Sequence, residues 1–312
     1  CMQIELITVG CVCADVIVRP VDTYPERGHL QLLPDLEIHL GGLAGVTAAV
    51  FAQLGGKSAL IGKLGADGFG DYIIGALIRA GVNTEHVRRV KSEHTSATIV
   101  LVTSEGERTF LHHLGTNGTT TPGEIDIALA KRSNAFHWGG PGVTPGLTGE
   151  GMGAVFRELR EAGVMTSMDT CFDGSGTWFP LIEAALPHLD VVMTSLHEAR
   201  HYTGKQDPEE IVAFFRSFGP KYVMLKLGGD GMIVETAEES HHLKAHRVEP
   251  VDTTGAGDAA CAGFLYGLLN GWGLYRSGKL ANAVGGLTVQ HMGGAEAITS
   301  LEDTIAFMES GS

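Results

Sequence analysis

Apolar positions in this chain fall into short runs and helical stripes that alternate along its length. Residues 4–11 form an apolar run that predicts a strand, and residues 45–54, Ala-rich and following Gly41 and Gly42, predict a buried helix. The same alternation continues through residues 58–61, 67–80, 135–138, 151–162, 166–169, 191–194 and 222–227, and then a helix after Gly257. Strands alternating with helices predict an α/β fold, a central mostly parallel sheet with helices on both faces. In an open sheet of that kind, ligands bind beyond the carboxyl ends of the strands.

Two stretches break the pattern. Residues 15–40 hold short β-rich pieces around Pro20, Pro25 and Pro34, and residues 95–114 read as a hairpin turning at Glu105 and Gly106. Together they predict one small β-sheet able to cover the carboxyl edge of the large one as a lid, which would exclude water from a reaction. Gly41 and Gly42 join this piece to the core, as a hinge or a tight turn. Cys11 and Cys13 are expected to alternate on a strand as small buried hydrophobes. His112 with His113, and His241 with His242, point to opposite faces if they lie on strands, so neither pair is expected to share a metal.

Composition narrows the function. A chain of 312 residues, 44% hydrophobic and 19% charged, can bury a large core as one domain. The formal charge of −14 speaks against a nucleic-acid partner. A nucleotide ligand would need local positive potential from main-chain N–H groups, Mg²⁺ and a few Lys or Arg side chains. Five cysteines, at 1, 11, 13, 171 and 261, have no metal-ligand spacing, and an odd number without a secretory leader leads us to expect reduced thiols and a cytoplasmic protein. No apolar run approaches the ~20 residues of a membrane span, so no membrane partner is expected.

The most informative run is Asp252, Thr253, Thr254, Gly255, Ala256, Gly257, Asp258. Its glycines remove the Cβ atoms that would hold a ligand away from the main chain, and the following helix aims unpaired N–H groups forward as an anion hole. Asp258, in the first helical turn, is expected to be held as a carboxylate by the helix dipole, ready to take a proton from a hydroxyl. Anion hole and base together suggest phosphoryl transfer to an alcohol. The run resembles the C-terminal signature of the ribokinase-like (PfkB) family of carbohydrate and nucleoside kinases, and further segments resemble that family over nearly the whole chain. The resemblance implies Asp258 as general base and the main chain of Gly255, Ala256 and Gly257 as the anion hole, in a single ribokinase-like domain, residues 1–312, with the lid inserted as residues 15–40 and 95–114.

It implies more, residue by residue. Asp15, by its residue type a ligand contact or a turn residue, matches the aspartate that holds sugar hydroxyls. The family's Gly-Gly-x-x-x-Asn-x-Ala becomes Gly41, Gly42, Leu43, Ala44, Gly45, Val46, Thr47, Ala48, so Val46 replaces an asparagine that bonds a substrate hydroxyl. The Asn-x-x-Glu motif becomes Ser195, Leu196, His197, Glu198, and Glu198 would order a Mg²⁺-bound water or else serve as a first-turn helix acid. Lys226, Gly228 and Gly231 resemble the nucleotide-side loop, although Lys226 could pair with an acidic neighbour instead. Asn282 borders the adenine pocket or caps a loop. Asp252 and the main chain at Thr254 match positions that hold a monovalent cation, implying K⁺ beside ATP and Mg²⁺. Gly62, Gly65, Asp67, Gly68 and Gly70 are structural. A homodimer through the lid is also implied.

The expectation is an ATP-dependent sugar kinase. A nucleoside kinase of the same family and a noncatalytic sugar or nucleotide sensor are the rivals. An oxidoreductase is disfavoured, because the first strand ends Gly10, Cys11, Val12, Cys13, Ala14, without Gly-x-Gly-x-x-Gly. A phosphosugar acceptor would need further cations, for which Arg27, Arg108 and the lid histidines are available.

Overall fold

A computed structural model describes residues 3–147 and 149–310. Cys1 lies outside the described residues. In chain order come strands β1 (Leu6–Gly10), β2 (Cys13–Arg19) and β3 (Asp35–Gly41), then α1 (Leu43–Gln53) and β4 (Ser58–Gly65). Next are α2 (Gly68–Ala80), β5 (Val87–Val90), and a hairpin of β6 (Ala97–Val102) and β7 (Arg108–His113). Short helices α3 (Gly115–Thr119) and α4 (Ile127–Ala130) lead to β8 (Ala135–Gly139). The second half runs α5 (Gly149–Glu161), β9 (Met165–Asp169), β10 (Val191–Ser195), α6 (Leu196–Thr203), α7 (Pro208–Arg216) and β11 (Tyr222–Lys226). It ends with a hairpin of β12 (Met232–Glu235) and β13 (Ser240–Leu243), and helices α8 (Ala256–Leu269), α9 (Leu274–Thr288) and α10 (Leu301–Ser310).

Nine strands form the main sheet in the order β13-β12-β11-β10-β9-β8-β1-β4-β5, parallel except where β12 pairs with β11 and β13. Strands buried on both faces explain the unbroken apolar runs. Ile7, Val9, Phe136, Trp138 and Met168 meet Phe156 and Leu159 of α5 on one face. Leu6, Ala135, Val191 and Met193 meet Phe264, Leu265 and Val284 of α8 and α9 on the other. Each such side chain contributes about 1.5–3 kcal/mol by leaving water.

The second sheet, β3-β2-β6-β7, joins the two stretches that break the alternation. β2 pairs antiparallel with β3 and parallel with β6, and the β6–β7 hairpin turns through Gly106, at φ 84. Its register puts Asp15, His39, Thr98 and His112 in one row across one face, on which Asp15, His39 and Thr98 are buried. Leu36, Ile38, Ile99 and Leu111 belong to the opposite face and are 58%, 38%, 42% and 57% exposed.

Several expectations need adjustment. β1 stops at Gly10, so Cys11 lies in the link between the sheets while Cys13 opens β2, although both thiols are buried as expected. Asp15 is the third residue of a lid strand rather than the end of the first core strand. The helices α7, α9 and α10 and the strands β5, β12 and β13 were not legible, since elements with mixed patterns, and the short ones above all, are specified by what they pack on. The histidine pairs each find single partners: His112 lies 3.0 Å from Thr98 Oγ1 and His241 2.7 Å from Glu239 Oε2.

Candidate active site

Gly255 is the N-cap of α8 with φ 73, and a Cβ there would lie 2.6 Å from Gly294 Cα, so the loop before the helix packs main chain on main chain. Beyond it, Ala256, Gly257 and Asp258 line a groove of about 1540 Å³ that runs over the carboxyl ends of β9, β10 and β11. Thr47 of α1 donates to the Asp258 carbonyl at 3.1 Å and ties the two glycine-flanked helices together.

Asp258 does not behave as its place in the first turn led us to expect. Burial, then Asp169, pushes its carboxyl up to about 8; Lys226 pulls it down, while Glu198 and Asp15 add to the rise. The helix terminus contributes about 0.3–1 kcal/mol, less than the 1.36 kcal/mol of a single pKa unit, so desolvation and three neighbouring carboxylates prevail.

Lys226, at the end of β11, gives both Asp169 oxygens a hydrogen bond, at 2.8 and 2.7 Å. Asp169 is fully buried, and Cys261 of α8 donates to its Oδ2 at 3.2 Å. A Cβ placed on Gly257 would come 3.2 Å from Lys226 Nζ, so this ammonium sits against the main chain of the first turn of α8 while lining the groove. Burial opposes its charge, yet Asp169, backed by Cys261, Glu198 and Asp258, raises its proton affinity above that of an ordinary lysine.

On the second sheet, Gly41 lets the Asp15 carboxylate lie over its Cα, where a Cβ would stand only 2.2 Å from Oδ2. Cys13 Sγ donates to Asp15 Oδ1 at 3.3 Å, and burial raises the Asp15 pKa against the hydrogen bonds of Thr98 and Cys13. Gly42 is the N-cap of α1, where Ala44 N and Gly45 N reach the Cys11 carbonyl at 2.9 and 3.3 Å. Val46 is 1% exposed and packs against Gly294 beside the loop before α8; like Asp15, Gly41 and Gly42 it does not line the groove. From the lid, Arg108 reaches down to Thr254 Oγ1 at 2.8 Å and comes within 3.7 Å of Asp252 Oδ1.

Toward the other end of the groove, Gly228, Gly231 and Asn282 line its wall. Gly231 is required by packing as well, because a Cβ at its φ of 93 would meet the Leu243 carbonyl at 1.9 Å. Asn282 donates to the Lys244 carbonyl at 2.5 Å, which is the loop-capping alternative. Glu198 forms a capping box with Ser195, and its Oε2 also accepts from Thr170 Oγ1 at 3.0 Å; burial raises its pKa.

Cations are judged on the same geometry. Among the described residues no three His, Cys, Asp or Glu side chains cluster as metal ligands. Glu198 lines the groove wall as a single carboxylate. Asp252 accepts from Thr254 N at 2.9 Å, Thr254 Oγ1 at 2.7 Å and Gly293 N at 3.2 Å. These bonds thus take three of the acceptor positions of this carboxylate, and Arg108 stands 3.7 Å from Oδ1.

Sequence reasoning passed over Asp169 and gave Arg108 no role in the loop. The signal available for Asp169 was an acid at the carboxyl end of a buried strand; nothing along the chain joined Arg108 to Thr254, 146 residues away.

The family described as pfkB family carbohydrate kinase matches residues 3–301. An ATP-dependent ribose-1-phosphate kinase of Halopiger xanaduensis is 31% identical, covering 96% of this chain and 96% of its own length. An aminoimidazole riboside kinase of Salmonella typhimurium is 28% identical over 94% of this chain and 93% of its own. The structure of an Arabidopsis thaliana ribokinase complexed with ribose and ATP shares the fold at a TM-score of 0.86 and 24% identity, covering 99% of each chain.

Proposed function

The chain belongs to the pfkB family of carbohydrate kinases, and from that membership we propose that it transfers the γ-phosphoryl group of ATP to a hydroxyl of a small sugar or sugar derivative. The observation that carries the reading is one groove lined both by Gly228, Gly231 and Asn282 and by Ala256, Gly257 and Asp258. A nucleotide laid along it would bring its terminal phosphate to the first turn of α8, where helix N–H groups favour anions.

In this reading Asp258 takes the acceptor's hydroxyl proton as that oxygen bonds to phosphorus, and the bond from phosphorus to the leaving ADP oxygen breaks. A carboxyl tuned to about 8 suits the task, since a base works best with a pKa near the operating pH. The main chain of Gly255, Ala256 and Gly257 shapes the anion hole, and Asp15 accepts hydrogen bonds from acceptor hydroxyls. Mg²⁺ on the phosphates would supply charge neutralisation and take a water-mediated contact from Glu198. K⁺ at Asp252 and the Thr254 main chain would hold the loop before α8. Both lid segments close over the acceptor, and their apolar outer faces join two copies in a homodimer.

Asp258→Asn keeps the shape of the side chain and removes the base. Turnover should fall about 10²–10⁴-fold with ATP affinity retained. Near-normal turnover in that variant, assayed on ribose, fructose and adenosine, would take the base role away from Asp258.

A further inference from the structure

Lys226 is, among the described residues, an ammonium set in a cluster of acids. Asp258, Asp169 and Glu198 all act on its charge, and two of its three N–H groups go to Asp169. Its third neighbour is Cys261 Sγ at 3.5 Å, a weak acceptor for a charged donor. Only 12% of the side chain is exposed, and it opens into the groove beside Gly257. Asp169 and Lys226 end strands that flank β10, so the sheet itself holds the pair in register.

Resting on the kinase reading, we infer that Lys226 is a further catalytic residue, giving its remaining N–H to an oxygen of the phosphoryl group in transfer, and that Asp169 is the positioning residue that holds it there. An ammonium fixed against the anion hole is already oriented when negative charge develops, which is how electrostatic catalysis avoids reorganisation. Bidentate anchoring by a fully buried carboxylate prevents the four-carbon stem from drifting to Glu198 or Asp258. No bond to Lys226 is made or broken, and its proton stays in place.

A structural ion pair would look the same at rest, so the test separates the two roles. Lys226→Met strands Asp169 as a buried charge and should lower the melting temperature; Lys226→Met with Asp169→Leu replaces the pair by apolar groups and should restore it. We expect kcat to remain down by about 10²–10³-fold in both variants. Independently of turnover, calorimetry should show the β,γ-imido analogue of ATP binding on the order of tenfold to a hundredfold more weakly, with ADP unchanged. Recovery of kcat along with stability in the double variant, or equal losses for the imido analogue and ADP, would overturn the assignment. A wild-type protein that phosphorylates none of ribose, fructose and adenosine would remove the kinase reading instead, while the calorimetric comparison still decides Lys226.

Discussion

The two sheets meet at the candidate site but are held in different ways. The nine-stranded sheet buries both faces, and its Trp138, Phe136 and Met193 are 0% exposed; the four-stranded sheet packs one face and leaves Leu36 and Leu111 more than half exposed on the other. Asp169, Lys226 and Asp258 stand on the first sheet and the helix packed against it, so their spacing is set by a dense core that resists displacement. Asp15 and Arg108 stand on the second, which meets the core through Ala14 and Leu40 packed among Ala44, Ala48 and Ile73 and through polar contacts, Arg108 on Thr254 and His39 on Glu296 at 2.9 Å. On the proposed reading, the groups of transfer would stand on the rigid half, and recognition of the acceptor on the less densely packed half.

The largest effect should appear in pH. Asp258 must lose its proton to act as a base, so kcat/KM should fall tenfold per unit as pH drops below about 8, the value set mainly by burial and Asp169. Stability moves the other way. Between the ordinary carboxylate range and about 8 the folded protein keeps a proton that the unfolded chain has released, so unfolding becomes easier as pH rises through that window. Asp258→Asn should flatten this slope in urea melts at successive pH values. Because the rigid half controls the limb, Leu111→Ala on the lid should leave its midpoint in place; a shift as large as that from Asp169→Asn would break the contrast between the halves.

A smaller effect is expected from K⁺. Arg108 already brings positive charge to Asp252, so K⁺ should raise the rate only a few-fold over tetramethylammonium at matched ionic strength, and more in Arg108→Gln. Equal rates in both salts for both proteins would remove the cation from the loop. Smallest in its effect on catalysis is the lid's outer face. If Leu36, Ile38, Ile99 and Leu111 join two copies, sedimentation velocity should give a dimer, and Leu36→Glu with Leu111→Glu a monomer whose kcat stays within a few-fold of wild type. A monomeric wild-type protein would leave that apolar face without the proposed role.

Local chemistry alone determined much. The alternation of apolar runs specified the parallel sheet, because strands buried on both faces are mostly apolar, the polar positions within them, such as Asp169 and Thr194, being fully buried. Gly106 marked the lid hairpin, and the Gly255, Ala256, Gly257, Asp258 run marked the helix start, since such turns need residues without a Cβ. Only the tertiary structure decided what those groups experience. It buried Val46 against Gly294, gave Lys226 to Asp169, used Asn282 on Lys244 and brought Arg108 to Thr254. It also turned Asp258 from an expected carboxylate into a group that holds its proton to about 8. The physical reason is one of range. Backbone conformation and periodicity are properties of neighbours along the chain, whereas desolvation and charge coupling depend on which distant segments enclose a group, and those segments lie 57 residues apart for Lys226 and 146 for Arg108.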